Sequence, residues 1–368
     1  MKEVKIYYCA YTAKGNLGDL LITKYLIEEL ARYGDVYVDC HGMPEDFCRV
    51  IFDTDSTSVK DFERYYGISF RSANILKVIR TLNRQGFTHF CDNPGPRIPF
   101  HMPLHRLLTK MTGKSIPFLF LNKRIKRYSL GIDLNYSQKG ILARLNKWHF
   151  GKIDVLGVRS VANTDTLRKS LSNVIYVPDM AFLYPKFQPN LFDTRRNKIA
   201  LSFRRVEEYE QLVHDVRGIC NVSDRLGIEV DILFQVDEDG PFCRQLYQDA
   251  NGRNVHFVEK AVDYYSVEIY QRYDIVFSNR LHVLLMAAMN GAIPCGLISH
   301  DRKESKIKDI FNSVFNSQLL YYIEDFDENV LLSMYENQDA VKKEVRTCVS
   351  GQKELCQTTL RNLLAPEE

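Results

Sequence analysis

Short apolar runs alternate with helical patterns along most of this chain, and that alternation limits the possible fold more than any other feature. Residues 4–9 form a β-branched and aromatic run, a small polar turn follows, and residues 20–33 carry apolar side chains at helical spacing. The same pattern predicts strands at 36–38, 88–90, 117–121, 154–158 and 174–177, and helices at 59–66 and 74–82. Such alternation indicates a parallel sheet with helices on both faces.

A segment without apolar periodicity, residues 185–197, contains two prolines and two asparagines, and the βα pattern resumes after it. The resumed pattern predicts strands at 198–203, 229–234, 256–258, 275–277 and 293–298, and helices at 209–226, 241–250, 267–272 and 281–289. We therefore predict two Rossmann-like α/β domains, 1–187 and 195–330, with parallel sheets facing a central cleft. A helical tail, 331–368, is expected to pack back on the first domain.

The composition is that of a globular protein, with 368 residues of which 45% are hydrophobic and 26% charged. It excludes disordered and collagen-like chains. Nine scattered cysteines include no CxxC pair, which favours a reducing compartment. The first residues lack the apolar core of a signal peptide, and no apolar run approaches the roughly 18 residues of a membrane helix. The prediction is a cytoplasmic protein.

Positive charge is concentrated in residues 106–147, which hold ten lysines and arginines and one acid, Asp133. The segment is thus +9 in a chain of net charge +3, which leaves −6 for the remainder. Apolar residues between 116 and 121 interrupt the basic ones. One interpretation is peripheral contact with an anionic membrane or a lipid diphosphate. The alternative is a solvated positive face, and no nucleic-acid-binding module is recognisable.

Polar residues at the start of the first predicted helix are the first candidates for a site. Gly15-Asn16-Leu17-Gly18-Asp19 follows the first strand, where glycines allow close backbone approach and free amides favour an anion. Asn16 is a candidate substrate contact. Asp19 is either a helix cap or a catalytic base, and both readings stay open. The segment is neither a GxGxxG nor a Walker motif.

Two arginines at strand ends form the strongest pattern in the second half. Arg204 follows the strand at 198–203, and Arg280 follows the strand at 275–277. Guanidinium groups bind carboxylate and phosphate through paired hydrogen bonds, so two of them in one cleft suit a small substrate that carries both groups. His282 lies two residues after Arg280 and is a candidate general acid or base. The alternative readings are solvated arginines and a structural histidine.

Arg159, Asp179 and Lys306 are weaker candidates for substrate binding, each placed after a predicted strand; Lys303 is an alternative to Lys306. Arg159 could equally form a salt bridge, and Asp179 could cap a helix or turn. No metal site is predicted, because Pro103 separates His101 from His105 and no HExxH pattern is present.

Taken together, these segments resemble the polysaccharide pyruvyl transferase family. The matching segments, in chain order, are Gly15 to Asp19, Gly157-Val158-Arg159-Ser160, Val177-Pro178-Asp179, Ser202-Phe203-Arg204, Ser278-Asn279-Arg280-Leu281-His282, Gly291-Ala292-Ile293-Pro294 and His300 to Lys306. The resemblance implies a GT-B-like fold, with an acceptor side at 1–187 and a donor side at 195–330. It also implies transfer of pyruvate from phosphoenolpyruvate onto a sugar of a surface polysaccharide as a cyclic ketal, with Arg204, Arg280 and His282 in the active site and no further cofactor.

One segment departs from the family pattern. Relatives usually have a glycine-rich stretch at the end of a central strand, where this chain has Asn93-Pro94-Gly95-Pro96-Arg97. Prolines remove amide donors and stiffen the backbone, so the acceptor could be bound differently. Two rival functions stay open: a sugar-nucleotide glycosyltransferase, and a non-catalytic glycan-binding subunit of capsule or exopolysaccharide assembly. A lipid-linked acceptor at the inner membrane face is the working hypothesis for the substrate.

Overall fold

A computed structural model of the chain describes residues 3–11, 16–70, 74–97, 117–134, 140–300, 305–315, 318–327 and 329–365. These residues form two compact units. Unit 1 runs to Leu183 and also includes the chain from Leu355 onward, and unit 2 comprises Tyr184–Glu354. Each unit is a parallel sheet with helices, which confirms the predicted fold class.

The sheet of unit 1 has the order β3-β2-β1-β4-β6-β7-β8, and β5 pairs separately with β6. All of these pairs are parallel; Tyr7 of β1, for example, lies between Tyr37 and Phe90. The strands are β1 (Lys5–Cys9), β2 (Asp35–Asp39), β3 (Val59–Asp61), β4 (His89–Asp92), β5 (Gly95–Arg97), β6 (Lys126–Leu134), β7 (Val155–Val158) and β8 (Val174–Tyr176). The strand order reverses between β1 and β4, which makes that position the switch point of the sheet.

Aromatic rings fill much of the core of unit 1. The rings of Tyr7 and Phe62 meet edge to face at 4.7 Å between centroids, and the apolar stripe of α4 covers the same cluster. The helices are α1 (Leu17–Leu30), α2 (Glu45–Phe52), α3 (Phe62–Tyr66), α4 (Ile75–Arg84), α5 (Gly140–Phe150) and α6 (Val161–Arg168), with 3-10 turns at Pro117–Phe120 and Met180–Leu183.

Two predicted elements of unit 1 are wrong. The helix expected over 59–66 begins only at Phe62, because Val59 pairs with Val36 in the sheet and Asp61 caps the helix by accepting from the Arg64 amide at 3.0 Å. The strand expected over 117–121 is a 3-10 turn, and the true strand, β6, follows it. The charged start of β6 and its internal glycine hid the strand from pattern analysis.

The sheet of unit 2 has the order β11-β10-β9-β12-β13-β14, and all of its pairs are parallel. Its strands are β9 (Lys198–Ser202), β10 (Glu229–Ile232), β11 (Val255–Phe257), β12 (Ile275–Ser278), β13 (Ile293–Ile298) and β14 (Leu320–Tyr322). The order reverses between β9 and β12, so the second switch point lies there.

The helices of unit 2 are α7 (Tyr209–Leu226), α8 (Gly240–Ala250), α9 (Leu281–Met289), α10 (Ser305–Val314) and α11 (Asn329–Glu336), with a 3-10 segment at Tyr264–Arg272 in place of the expected helix over 267–272. The last helix, α12 (Gln338–Leu364), begins in unit 2 and ends in unit 1. Three of these helices, α7, α8 and α9, lie within one residue of the predicted bounds; α10 was not predicted, and the predicted tail is divided into α11 and α12. The end of α12 packs on unit 1, where the Tyr128 hydroxyl donates to the Leu363 carbonyl at 2.9 Å.

Two buried contacts in unit 2 each depend on one residue, Lys342 or Gly291. Lys342 of α12 is 1% exposed and donates to Asp274 Oδ1 at 2.5 Å and to the Thr194 carbonyl at 2.6 Å, so it fixes the helix to the start of β12. Gly291 has a φ of +85°, and a Cβ there would lie 2.7 Å from the Cβ of Leu191. Only glycine suits both the backbone angle and the close approach.

No helix among the described residues is both long and apolar enough to cross a membrane.

Candidate functional site

The two arginines predicted at strand ends lie side by side at the switch point of unit 2. The last residues of β9 and β12, Ser202 and Ser278, are register partners in neighbouring parallel strands. Arg204 and Arg280 each follow two residues later, and both side chains are half-buried. Loops that diverge from a switch point leave a crevice at the carboxyl edge of the sheet, which is where ligands of such sheets bind.

Asn279 fastens the two loops to each other. Its Oδ1 accepts a hydrogen bond from the Arg204 amide at 2.8 Å, and its Nδ2 donates to the Arg204 carbonyl at 3.1 Å. The Arg280 amide donates to the Ser278 hydroxyl at 2.9 Å. The side chain of Asn279 is 2% exposed, so these bonds are shielded from water. The backbones that carry the two guanidinium groups are therefore held in one fixed relation.

Asp239 forms a paired salt bridge with Arg280. Nε of Arg280 donates to Oδ2 at 2.8 Å and Nη2 donates to Oδ1 at 2.6 Å. Asp239 lies at the end of a short 3-10 turn after β10 and is 6% exposed. Burial raises the pKa of Asp239, while hydrogen bonding and charge from Arg280, and charge from Arg204, act in the opposite direction. Both arginines thus act electrostatically on one buried carboxylate.

The pairing leaves part of the Arg280 guanidinium for a ligand. Asp239 occupies the edge formed by Nε and Nη2, and no residue in the described part of the chain accepts a hydrogen bond from Nη1. The side chain of Arg280 is 28% exposed. A guanidinium has five N–H donors, so a fixed Arg280 retains donors for an anion. Arg280 is held by Asp239 rather than freely solvated.

His282 stands in the first turn of α9, two residues after Arg280, and is half-buried. Its Nε2 atom is shielded from water. Amides at the start of a helix favour negative charge, and Arg280 is the residue directly before α9. The structure therefore brings Arg204, Arg280 and His282 to one edge of unit 2.

Lys306 is placed differently. It is an exposed residue in the first turn of α10, and no contact among the described residues joins it to either arginine. Lys303 lies outside the described residues. Substrate binding by Lys306 stays a prediction.

In unit 1, Asn16 caps α1 and Asp19 does not. The Asn16 Oδ1 accepts from the Asp19 amide at 3.4 Å, while Asp19 lies in the first turn with a half-buried side chain. Both residues follow β1, which borders the switch point of that sheet. A catalytic role for Asp19 stays a prediction.

Arg159 and Asp179 form a buried ion pair. Nη1 of Arg159 donates to Asp179 Oδ2 at 2.8 Å, and Asp133 lies 3.7 Å from Arg159 Nη2. Arg159 is 4% and Asp179 1% exposed. Asp179 also accepts from the Ala181 amide at 2.9 Å, which caps the turn that follows it. Both alternative readings, the salt bridge and the cap, describe these contacts, and a role in substrate binding stays a prediction.

The proline-containing segment forms β5 against the second half of β6. Arg97 of β5 donates to Asp92 Oδ1 at 2.6 Å. Asn93, which is 7% exposed, accepts from the Tyr11 amide at 3.3 Å and the Thr23 hydroxyl at 3.0 Å. The segment is thus tied to β4, to the residues that follow β1 and to α1, beside the switch point of unit 1.

Sequence reasoning missed Asp239, and its signal was the acidic run Asp237-Glu238-Asp239 in the loop that follows β10. It also missed Cys243, whose Sγ donates to the Phe203 carbonyl at 3.2 Å and whose pKa burial raises to about 12, so this thiol is inert. A separate cavity of about 500 Å³ in unit 2, bordered by Phe315, Met334 and Cys348, includes none of the predicted site residues among its described lining. The described residues contain no cluster of metal-binding side chains.

The fold is similar to that of GT-B enzymes. The UDP-GlcNAc 2-epimerase from Neisseria meningitidis, solved bound to UDP-GlcNAc, superposes with a TM-score of 0.62 at 12% identity, over 99% of this chain and 100% of that one. A glycosyltransferase from Rickettsia africae gives 0.59 at 9% identity, over 100% of both chains. The UDP-GlcNAc 2-epimerase from Methanocaldococcus jannaschii gives 0.58 at 11%, over 95% of this chain and 100% of that one. Identities this low support the fold alone.

The match to a protein family is more specific than the similarity in fold. A model of the polysaccharide pyruvyl transferase family matches residues 100–302, which is more than half of the chain and includes Arg204, Arg280 and His282. The chain belongs to this family, as the motifs indicated. A search of curated protein sequences finds no match.

Proposed function

We propose that this protein transfers pyruvate from phosphoenolpyruvate onto a sugar of a cell-surface polysaccharide or its lipid-linked precursor, forming a cyclic ketal. The observation that carries the proposal is the placement of Arg204 and Arg280 directly after two adjacent strands at a switch point, in loops joined by Asn279. Phosphoenolpyruvate carries a carboxylate and a phosphate on neighbouring atoms, and paired guanidinium groups suit that combination.

The reaction requires protons to move at defined points. A proton added to the methylene carbon makes the neighbouring carbon electrophilic, and a sugar hydroxyl adds to that carbon and loses its proton. Phosphate then leaves, and a second hydroxyl closes the ring and loses its proton. The products are the ketal and inorganic phosphate. His282 is our candidate for one of these transfers and Asp19 for another, and such a group typically contributes about 10²- to 10⁴-fold.

The test is phosphate release from phosphoenolpyruvate with a panel of glycan and lipid-linked acceptors. Release that depends on both substrates, abolished in His282→Ala and lowered about 10²-fold in Arg280→Lys, supports the proposal, because lysine cannot form a paired bond. Nucleotide release from a sugar nucleotide, without phosphate release, would instead support the rival glycosyltransferase. Binding of glycan without turnover of either donor would support the non-catalytic reading. Melting curves of both variants should match the parent.

The cell compartment and acceptor belong to the same proposal. Scattered cysteines without paired motifs support a cytoplasmic protein. A lipid-linked acceptor would be met at the inner face of the membrane, and acceptors with and without a lipid diphosphate distinguish that case.

A further inference from the structure

One face of unit 1 combines positive charge with exposed apolar side chains. Helix α4 buries Ile75, Val78, Ile79 and Leu82 in the core. Its outward side presents Leu76, Lys77, Arg80, Asn83 and Arg84, all exposed. Leu76 is 62% exposed, although leucine normally turns toward the core. This side of α4 carries three basic residues and no acid.

The segment that leads into β6 extends this face. Leu119 is 54% and Phe120 63% exposed, and Lys123 and Arg124 are exposed directly after them. Their neighbour Phe118 packs inward, with its ring 4.8 Å from that of Phe90. Because Phe118 anchors the turn, Leu119 and Phe120 are held outward rather than free to fold into the core.

Asn83 joins the segment to the helix. Its Nδ2 donates to the Phe120 carbonyl at 2.9 Å, and its Oδ1 accepts from the Asn122 amide at 2.8 Å. Both bonds fix the exposed apolar pair beside the carboxyl end of α4, where Arg84 stands. We call this surface the α4 face, defined by Leu76, Lys77, Arg80, Arg84, Leu119, Phe120, Lys123 and Arg124.

The surrounding sequence offers almost no compensating acid. Residues 64–132 contain thirteen lysines and arginines and a single carboxylate, Asp92, and the next acids along the chain are Glu63 and Asp133. Arg97 already pairs with Asp92 at 2.6 Å. Asp154, which precedes β7, accepts from the Arg127 amide at 2.7 Å, and no ion pair among the described residues joins a carboxylate to a basic side chain of the α4 face. The α4 face therefore carries uncompensated positive charge beside apolar groups.

We propose that the α4 face docks on the surface of an anionic phospholipid bilayer. Basic side chains at such a surface are attracted to lipid phosphates, and leucine and phenylalanine enter the boundary of the acyl chains. A nucleic acid or an acidic protein would account for the charge but not for the aliphatic Leu76 and Leu119 held in solvent. The α4 face includes helix α4, which the sequence pattern did not connect with the basic segment 106–147. The proposed docking does not depend on the transfer reaction.

The experiment is co-sedimentation of the full chain with vesicles of phosphatidylcholine alone and of phosphatidylcholine with 30% phosphatidylglycerol, at about 50 mM and 500 mM NaCl. We expect binding only to the anionic vesicles and a large loss at high salt. Lys123→Gln with Arg124→Gln should lower the partition coefficient by about 10- to 30-fold, since each basic group near the surface contributes about fivefold. Leu119→Ser with Phe120→Ser should weaken binding while the salt dependence persists.

The matched control is Lys169→Gln with Lys343→Gln, which removes two exposed positive charges elsewhere. It should bind as the parent does, and circular dichroism should be the same for every variant. Equal binding of parent and Lys123/Arg124 variant, or no binding to anionic vesicles, overturns the proposal. Retention on a soluble polyanion such as heparin, without vesicle binding, also overturns it and assigns the face to an acidic macromolecule. Because the readout is vesicle binding, failure here and failure of pyruvate transfer are distinguishable.

Discussion

The salt bridge between Asp239 and Arg280 leads to a sharp prediction, that Asp239→Asn lowers activity without unfolding the protein. Asparagine has nearly the shape of aspartate but no charge, and its amide group donates where Arg280 also donates. At least one of the two bonds, at 2.8 and 2.6 Å, is therefore lost. Arg280 would keep its charge but lose the partner that sets its orientation.

The size of the effect follows from the geometry. A hydrogen bond to a charged group contributes about 1.5–3 kcal/mol. Arg280 is 28% exposed, so water replaces part of what is lost. A net loss of about 2–3 kcal/mol in transition-state binding corresponds to about 30- to 150-fold in kcat/KM, since 1.36 kcal/mol is tenfold.

The assay is phosphate release from phosphoenolpyruvate, with kcat and KM determined separately and the melting temperature recorded for each variant. Asp237→Asn is the matched control, because Asp237 is an exposed residue of the same turn, and its activity should equal that of the parent. An unchanged kcat/KM in Asp239→Asn would refute a positioning role. A lower KM with unchanged kcat would show that the carboxylate competes with the substrate for Arg280.

Three further predictions concern stability, all measured by urea unfolding. Lys342→Met should cost about 2–4 kcal/mol, because it removes the nearer cation from the buried Asp274 carboxylate and leaves, among the described residues, only Arg196 Nη1, at 3.8 Å; a loss below 1 kcal/mol would contradict this reading. Gly291→Ala should destabilise clearly more than Gly227→Ala, since both have positive φ but only Gly291 faces atoms within 4 Å, and equal losses would exclude the steric cause. Burial lowers the pKa of His89 from 6.5 to about 4, so between pH 4 and 6.5 the unfolded state binds more protons than the folded state. The free energy of unfolding is therefore unaffected by His89 above pH 6.5 and falls by about 3 kcal/mol as the pH falls to 4. His89→Gln should flatten that slope, and an identical slope in the variant would disprove the assignment.

Much of the fold could be predicted because its elements have strong local signals. Apart from His282, helix α9 is apolar; it follows a buried strand, and its bounds, Leu281–Met289, agree with the sequence pattern. Strand β13 does so as well. Elements whose local signal was mixed were missed or misread, and β6 is the clearest case, since it starts with Lys126-Arg127 and contains Gly131.

The sequence could place site residues only at the ends of predicted strands. Arg204 and Arg280 could be placed at a carboxyl edge from sequence, but their adjacency depends on β9 pairing with β12, which are more than 70 residues apart. The role of Asp239 depends on its folded position beside Arg280, which no spacing rule gives. The ion pair of Arg159 and Asp179 illustrates the same limit, since each residue was singled out but not as the partner of the other.

Strand β6 changes partner along its length. Residues 126–129 pair with β4, residues 132–134 pair with β5, and Gly131, with a φ of +64°, lies between them, where a Cβ would come within 2.8 Å of Met180. The path of residues 93–97 therefore depends on the change of direction of β6 at Gly131 as well as on their own prolines. A change at positions 93–97 also acts on the close approach between Gly131 and Pro94, where a Cβ at Gly131 would lie 3.4 Å from the Cβ of Pro94.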